Sequence, residues 1–139
     1  MTAASSVSTL LIPVAPGELI DKITILEIKA VHITDLDKRA NVSRELDLLR
    51  TALARAVLPR DELTRLTTKL KGINETLWAI EDDIRDCEVA QNFGQKFIDL
   101  ARAVYRTNDK RAAIKREINL LLGSDIMEEK SYHSYESGA

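Results

Sequence analysis

One stretch of the sequence constrains the fold more than any other, because its apolar residues repeat with the period of a long helix. Between residues 63 and 87 the spacing alternates between three and four without a break, over more than three heptads. The repeating residues are Leu63, Leu66, Leu70, Ile73, Leu77, Ile80, Ile84 and Cys87. Such a stripe is typical of a helix that packs along its length against another helix. The sequence therefore predicts an all-α protein.

Two shorter stripes with the same alternation precede the long one. Pro16 suits the first position of a helix, and the apolar spacing after it predicts a first helix that ends near Ile33. We expect Thr34–Asp35 to form a turn and cap before a second helix, which Pro59 ends. The stripe of this second helix consists of Val42, Leu46, Leu49, Leu53 and Ala56. Because only a short link separates the second and third helices, we expect them to form a long antiparallel hairpin.

Beyond the long stripe the pattern weakens at Asn92–Gly94 and then predicts two more helices. The fourth carries apolar residues from Phe93 to Val104, and we expect Asn108 to cap the fifth. Gly123 follows the last apolar residues and suits the C-terminal cap of that helix. The expected architecture is a bundle of about five helices.

Three segments are expected to lie outside the helices. Residues 1–9 are small and polar, and we expect them to be disordered. Leu10–Val14 is apolar and contains a proline, which favours a short extended leader or an edge strand laid over the core. Residues 10–123 are then a single helical domain, followed by a polar, partly ordered tail at residues 124–139.

The composition excludes several classes of protein. The chain of 139 residues mixes 20 basic with 22 acidic residues along its length, so no basic block predicts nucleic acid as a partner. No apolar run approaches the roughly 20 residues of a membrane span. Because the N-terminus also lacks the basic region of a secretory signal, a cytoplasmic protein is predicted. Cys87 is the only cysteine, and its place in the long stripe predicts an inert core residue.

Charged residues inside apolar stripes are the first candidates for function. A helix turns by about 100° per residue, which places Glu27 within the apolar arc of the first helix. A carboxylate there needs a cation or hydrogen-bond donors, and a structural ion pair is the simplest source. On the fifth helix Arg111 falls among apolar residues, with Lys115 and Asn119 at the same edge. We expect the guanidinium of Arg111 to pair with Glu27 or Glu81.

Polar residues also line one flank of the long stripe on the third helix. They are Asn74, Trp78, Glu81, Arg85 and Glu88. Glu81 and Arg85 are four residues apart and are expected to form an ion pair. Trp78 is the only tryptophan, and indole rings favour half-buried sites with a polar contact. The flank is therefore either the wall of a binding groove or a solvated or inter-helix face with one salt bridge.

Taken together, three helices carry charges on faces that are otherwise apolar. The candidate ligand-binding residues are Glu27, Asn74, Trp78, Glu81, Arg85, Arg111 and Lys115. If the fold brings them together, they form one polar network. Such a network is either a device that specifies how the helices pack or a pocket for an anion, and the sequence leaves both interpretations open.

Metal and catalytic motifs give a weaker signal. His32 and His133 are far apart in the chain, so no two-histidine metal site is predicted. Glu18, Asp21 and Glu81–Asp82 carry the oxygens that Mg²⁺ prefers, but acidic first turns also complement the helix dipole, so no cofactor is predicted. The sequence contains no glycine-rich phosphate loop, nucleophile elbow or Cys/His pairing, and it leaves open whether the chain is an enzyme.

Several stretches resemble a family of small bacterial proteins of unknown function. They are Pro16–Lys29 (PGELIDKITILEIK), Leu77–Arg85 (LWAIEDDIR), Phe93–Gly94, Asn108–Lys115 (NDKRAAIK) and Glu128–Tyr132 (EEKSY). The resemblance covers nearly all of the chain after Leu10, and the opening motif is quite specific. It implies a cytoplasmic bacterial or phage protein linked to cell-surface polysaccharide genes, and it supplies no activity and no catalytic residues. Where this chain has Ala15 the family often has serine, so the first helix lacks that cap here.

Three functions remain open at this point. The first is a non-enzymatic interaction or scaffold module that forms homo-oligomers or binds a protein partner, as the long stripe and the mixed-charge surface favour. The second is a small all-α enzyme that uses the charged residues on a nucleotide or dicarboxylate. The third is a sensor that holds an anion or a nucleotide sugar in the same pocket without turnover.

Overall fold

A computed structural model describes residues 8–136, and in that range the chain forms four helices and no strand. The helices are α1 (Pro16–His32), α2 (Leu36–Ala56), α3 (Asp61–Val89) and α4 (Gln95–Leu121). The all-α prediction is thus confirmed. The disorder predicted for residues 1–9 falls almost entirely outside the described residues, as do the last three residues of the predicted tail.

The prediction of about five helices is wrong, because α4 runs without a break through the position expected to cap a fifth helix. No glycine or proline lies between Gln95 and Leu121 to stop it. Asn108 inside a helix is less favourable than alanine by under about 1 kcal/mol, which tertiary packing easily offsets. The helix ends as predicted at Gly123, whose φ is 65°. There the Ser124 N–H donates to the carbonyl of Asn119 at 2.9 Å, which is a Schellman ending.

The pairing of the helices also differs from the prediction. α1 packs against each of the other three helices, α2 packs against α1, and the most extensive contact joins α3 to α4. The five-residue link 90–94 makes α3 and α4 antiparallel neighbours. The predicted hairpin of the second and third helices is therefore wrong. An apolar stripe shows that a helix has a partner without specifying which, and here α1 separates α2 from the α3–α4 pair.

Two hydrophobic clusters follow from this central position of α1. The first lies between α1, α3 and α4 and contains Ile20, Leu63, Leu70 and Ile118. The second lies between α1 and α2 and contains Ile23, Leu26, Val42 and Leu46. Full burial of each such side chain stabilises the fold by about 1.5–3 kcal/mol. The apolar stripe predicted for the first helix therefore faces α2, and a different face of α1 meets α3 and α4. This stripe consists of Leu19, Ile23, Leu26, Ala30 and Ile33.

The leader does not cover the core as expected. Leu10, Leu11 and Ile12 are 78%, 94% and 71% exposed. The buried faces of α1 pack against the other three helices. Among the described helices none is long and apolar enough to cross a membrane.

Candidate functional site

The carboxylate of Asp21 is fully buried on the face of α1 that meets α3 and α4. Arg111 of α4 donates from Nε to Asp21 Oδ1 at 2.9 Å and from Nη2 to Oδ2. Asn74 of α3 donates from Nδ2 to the same Oδ1, also at 2.9 Å. A buried carboxylate is tolerated only when it is paired and its lone pairs are satisfied, and this fork-shaped contact does both.

Thr24 completes this polar core, which we define as Asp21, Thr24, Asn74 and Arg111. Its hydroxyl accepts from Asn74 Nδ2 at 2.9 Å and donates to the Asp21 carbonyl at 2.8 Å. The hydrogen bond to Asp21 raises the pKa of Arg111 against the opposing effect of burial, so the guanidinium stays charged. Among the described residues no buried side-chain nitrogen or oxygen lacks a partner. The polar core is thus a closed network on its inner side.

A second polar cluster lies one turn away, at the start of α1. The ammonium of Lys115 is largely buried and donates to Glu18 at 2.7 Å and to Glu128 at 3.1 Å. Burial alone would lower the pKa of Lys115, but the two carboxylates offset it, so the pKa is raised above its ordinary value. The hydrogen bond from Lys115 in turn lowers the pKa of Glu128. We call this cluster the tail anchor, because it fixes the segment after α4 to the helices.

The start of α1 is completed from another helix. Ala15 supplies no side-chain cap, and the Gly17 N–H donates instead to Asn119 Oδ1 of α4 at 2.7 Å. A Cβ atom at position 17 would lie 2.5 Å from the Lys115 carbonyl oxygen and 2.7 Å from Asn119 Oδ1. Only glycine therefore allows α1 and α4 to approach this closely.

A groove of about 500 Å³ opens over the polar core between α1, α3 and α4. Its lining includes five of the seven candidate ligand-binding residues, namely Asn74, Trp78, Glu81, Arg85 and Arg111. Glu81 and Arg85 form the predicted ion pair. The Trp78 ring stacks on His32 at the end of α1, with ring centroids 5.0 Å apart. The groove thus combines two cations, two carboxylates at positions 81 and 82, and an aromatic wall.

The other two candidates lie elsewhere. Glu27 accepts from Arg50 of α2 at 2.7 Å and lies 3.7 Å from the Lys71 ammonium of α3. It is therefore a bridge between three helices, as the structural interpretation of its position expected. Lys115 belongs to the tail anchor. The expectation that Arg111 pairs with Glu27 or Glu81 is wrong, because Asp21 lies closer to the α4 face.

A model described as a family of unknown function, DUF6165, matches residues 10–138. The chain belongs to this family. The match confirms the resemblance to a family of unknown function. No curated protein and no solved structure matches the chain.

In this DUF6165 chain the residues that sequence reasoning missed share one stripe of α1. Gly17, Asp21, Thr24 and Ile28 are spaced by four, three and four, and all four are buried. Asp21 was interpreted as a partner of the helix dipole because it lies near the helix start. The spacing of Gly17, Asp21 and Thr24 could have revealed this face from the sequence, because it places small and polar residues on one side of the helix. A helix face made of small and polar residues predicts a close contact with another helix that is held by hydrogen bonds.

The carboxylates considered for Mg²⁺ are distributed between these clusters. Asp21 is bound by Arg111 and Glu18 by Lys115, while Glu81 and Asp82 line the groove of the DUF6165 chain. Within residues 8–136, no three histidine, cysteine or acidic side chains come together in a group that would hold a metal ion. Cys87 is buried, as expected of a core residue.

Proposed function

We propose that this protein binds a small anionic ligand in the groove between α1, α3 and α4. The proposal rests on the orientation of Arg111, whose guanidinium is positioned by two hydrogen bonds, from Nε and Nη2 to the carboxylate of Asp21. Its third nitrogen, Nη1, donates to no group among the described residues and is not enclosed. A positioned guanidinium with free N–H donors is well suited to a carboxylate or phosphate.

The other walls of the groove support the same proposal. Arg85 is 69% exposed, so its guanidinium can turn from Glu81 toward a ligand at little free-energy cost. Trp78, Leu77 and Ile28 supply an apolar surface beside the two cations. A volume of about 500 Å³ lies within the range of small-molecule sites. Nucleotides, nucleotide sugars and dicarboxylates are the anions of suitable size.

The proposal concerns binding and not turnover. The groove-lining residues include no serine, cysteine or histidine, so no Ser–His or Cys–His pair is present among them. The sensor and enzyme hypotheses therefore share one first test, which is whether an anion binds at all. A cytoplasmic location is part of the proposal.

Titration followed by the fluorescence of Trp78 tests it, because this single tryptophan lines the groove. The probes are phosphate, pyrophosphate, nucleoside diphosphates, nucleotide sugars and succinate. We expect saturable binding of at least one probe, weakened about tenfold or more in Arg85→Gln, as loss of a charged hydrogen bond requires. Arg102→Gln, an exposed position on α4 outside the groove, should bind like the natural protein. A flat response to every probe, or an Arg85→Gln variant that binds normally, would remove the proposal.

A second candidate, a self-associating interaction module, has a separate observation in its favour. The three successive large apolar residues of the leader, Leu10, Leu11 and Ile12, are strongly exposed. A contiguous exposed apolar segment is a common feature of contacts with a second copy or a protein partner. Sedimentation velocity tests it. Leu11→Asp should shift an oligomer toward monomer, whereas Val31→Asp, an equally apolar exposed site on α1, should not.

A further inference from the structure

A second cleft, of about 770 Å³, lies between α4 and the segment that follows it. It is continuous with the groove, because Asn108 and Arg111 line both. Its remaining lining differs in character from that of the groove. Its lining contains three tyrosines and a histidine, namely Tyr105, Tyr132, His133 and Tyr135. We call it the aromatic cleft.

The outer wall of the aromatic cleft is residues 130–136 of the C-terminal segment, and it is fastened at both ends. At one end are the tail anchor and the Arg116–Glu129 ion pair at 3.2 Å. At the other end the Tyr135 hydroxyl donates to Asp109 Oδ2 at 2.6 Å, and the Tyr135 ring packs edge-on against Tyr105. The wall is therefore held in place by specific contacts with α4.

The two compartments differ in ring content and not in charge. The aromatic cleft is lined by the carboxylates of Asp109 and Glu136 and by the cations of Arg111 and Lys130, and the groove has the same balance of two cations and two carboxylates. Aromatic rings favour a planar, uncharged ring system, on which stacking is the main attraction. The free N–H groups of Arg111 lie where the cleft meets the groove. A ligand that fits both compartments thus has a planar ring at one end and an anionic group at the other.

We infer that the anion bound by this protein is a nucleotide, with its base in the aromatic cleft and its phosphates at Arg111 and Arg85. The inference rests on the proposed function and narrows it to one ligand class. It also gives the C-terminal segment a role as a wall of the binding site. Tyr132 is the residue that best separates this role from folding, because it is 81% exposed and the Lys130 ammonium lies 5.8 Å from the centre of its ring.

The experiment compares nucleoside diphosphates of the four common bases with pyrophosphate, using Trp78 fluorescence and isothermal titration calorimetry. We expect at least one diphosphate to bind about tenfold or more tightly than pyrophosphate, as stacking of one base on an aromatic side chain provides. Tyr132→Ala should remove that advantage and leave the Kd of pyrophosphate unchanged within about twofold. The control is Phe93→Ala, a half-exposed aromatic residue in the α3–α4 link, away from both compartments.

The outcomes separate the inference from the proposed function. If diphosphates bind no better than pyrophosphate, if Tyr132→Ala weakens both equally, or if only dicarboxylates bind, the nucleotide inference is overturned while anion binding in the groove stands. If no probe binds in a manner that depends on Arg85, both fall together. A diphosphate preference that is lost in Tyr132→Ala and kept in Phe93→Ala supports the inference.

Discussion

Arg111 of α4 donates two hydrogen bonds, from Nε and Nη2, to the carboxylate of Asp21 of α1, although the residues are 90 positions apart in sequence. Asp21 is fully buried, whereas the Arg111 side chain keeps 29% of its surface exposed. The inner partner is therefore fixed and the outer partner faces the groove. This asymmetry lets one ion pair hold the helices together and present a cation to the groove.

Removal of Arg111 should strongly destabilise the fold. Arg111→Ala leaves a buried carboxylate without its cation, a change that typically lowers the free energy of unfolding by about 3–5 kcal/mol. Urea unfolding measures the loss, and Arg102→Ala, on the exposed side of the same helix, should change it by less than about 0.5 kcal/mol. The double variant Asp21→Asn with Arg111→Ala should recover part of the loss, because no charge is then buried unpaired. A loss under about 1 kcal/mol in Arg111→Ala would contradict the structural role of the pair.

Two glycines should respond in opposite directions to the same substitution. Gly17→Ala places a Cβ atom 2.5 Å from the Lys115 carbonyl, so we expect overpacking to lower stability by about 1–3 kcal/mol. Gly72→Ala in α3 meets nothing within 4 Å and should raise stability by about 0.5–1 kcal/mol, since alanine favours a helix interior. Thermal unfolding of both variants checks the pair. Equal effects would mean that the close approach of α1 and α4 does not exist.

The tail anchor should make stability depend on pH. Because Lys115 lowers the pKa of Glu128 below its ordinary value of 4.5, the contribution of this carboxylate is present above that value and is lost as the pH falls through the lowered pKa. Because the pKa of Lys115 is raised above 10.5, the contribution of the ammonium is complete below that value and is lost as the pH rises through the raised pKa. The Glu128 side chain is 47% exposed, so solvent screening limits the ion pair to roughly 0.2–1 kcal/mol.

The pH dependence is tested by measuring the melting temperatures of the natural protein and of Glu128→Gln from pH 2 to pH 8. The variant should melt below the natural protein at neutral pH, and the difference should shrink toward the acid end. Glu129→Gln is the control, because its partner Arg116 lies on the exposed surface, and its difference should be smaller throughout. A Glu128→Gln deficit that is constant over the whole pH range would rule out the ion pair as its cause.

Local features of the chain were predictable and long-range ones were not. Pro16 and Asp35 specify helix starts through their own backbone and side chains, and both helices begin where these residues predict. Which helix packs against an apolar stripe, and which residue pairs with a buried charge, both depend on the three-dimensional arrangement of the helices. For that reason the α3–α4 pairing and the Asp21–Arg111 pair were missed, although Arg111 was recognised as a charge that enters the core. The shared helix face of Asn74, Trp78, Glu81 and Arg85 was predictable, because helical spacing needs no tertiary information, whereas the sequence left open whether that face lines a groove.

Among the predicted site residues, Glu27 is the one that we expect to contribute to stability and not to ligand binding. It lies outside the groove and bridges Arg50 of α2 with Lys71 of α3. Glu27→Gln keeps the shape of the side chain and removes the charge, so we expect a loss of about 1 kcal/mol or less from these partly exposed pairs. Its affinity for any anion that binds the groove should stay within about twofold of the natural protein, as measured by Trp78 fluorescence. A tenfold change in affinity would mean that Glu27 belongs to the binding site after all, and the groove between α1, α3 and α4 would then have to extend to the α2 side of α1.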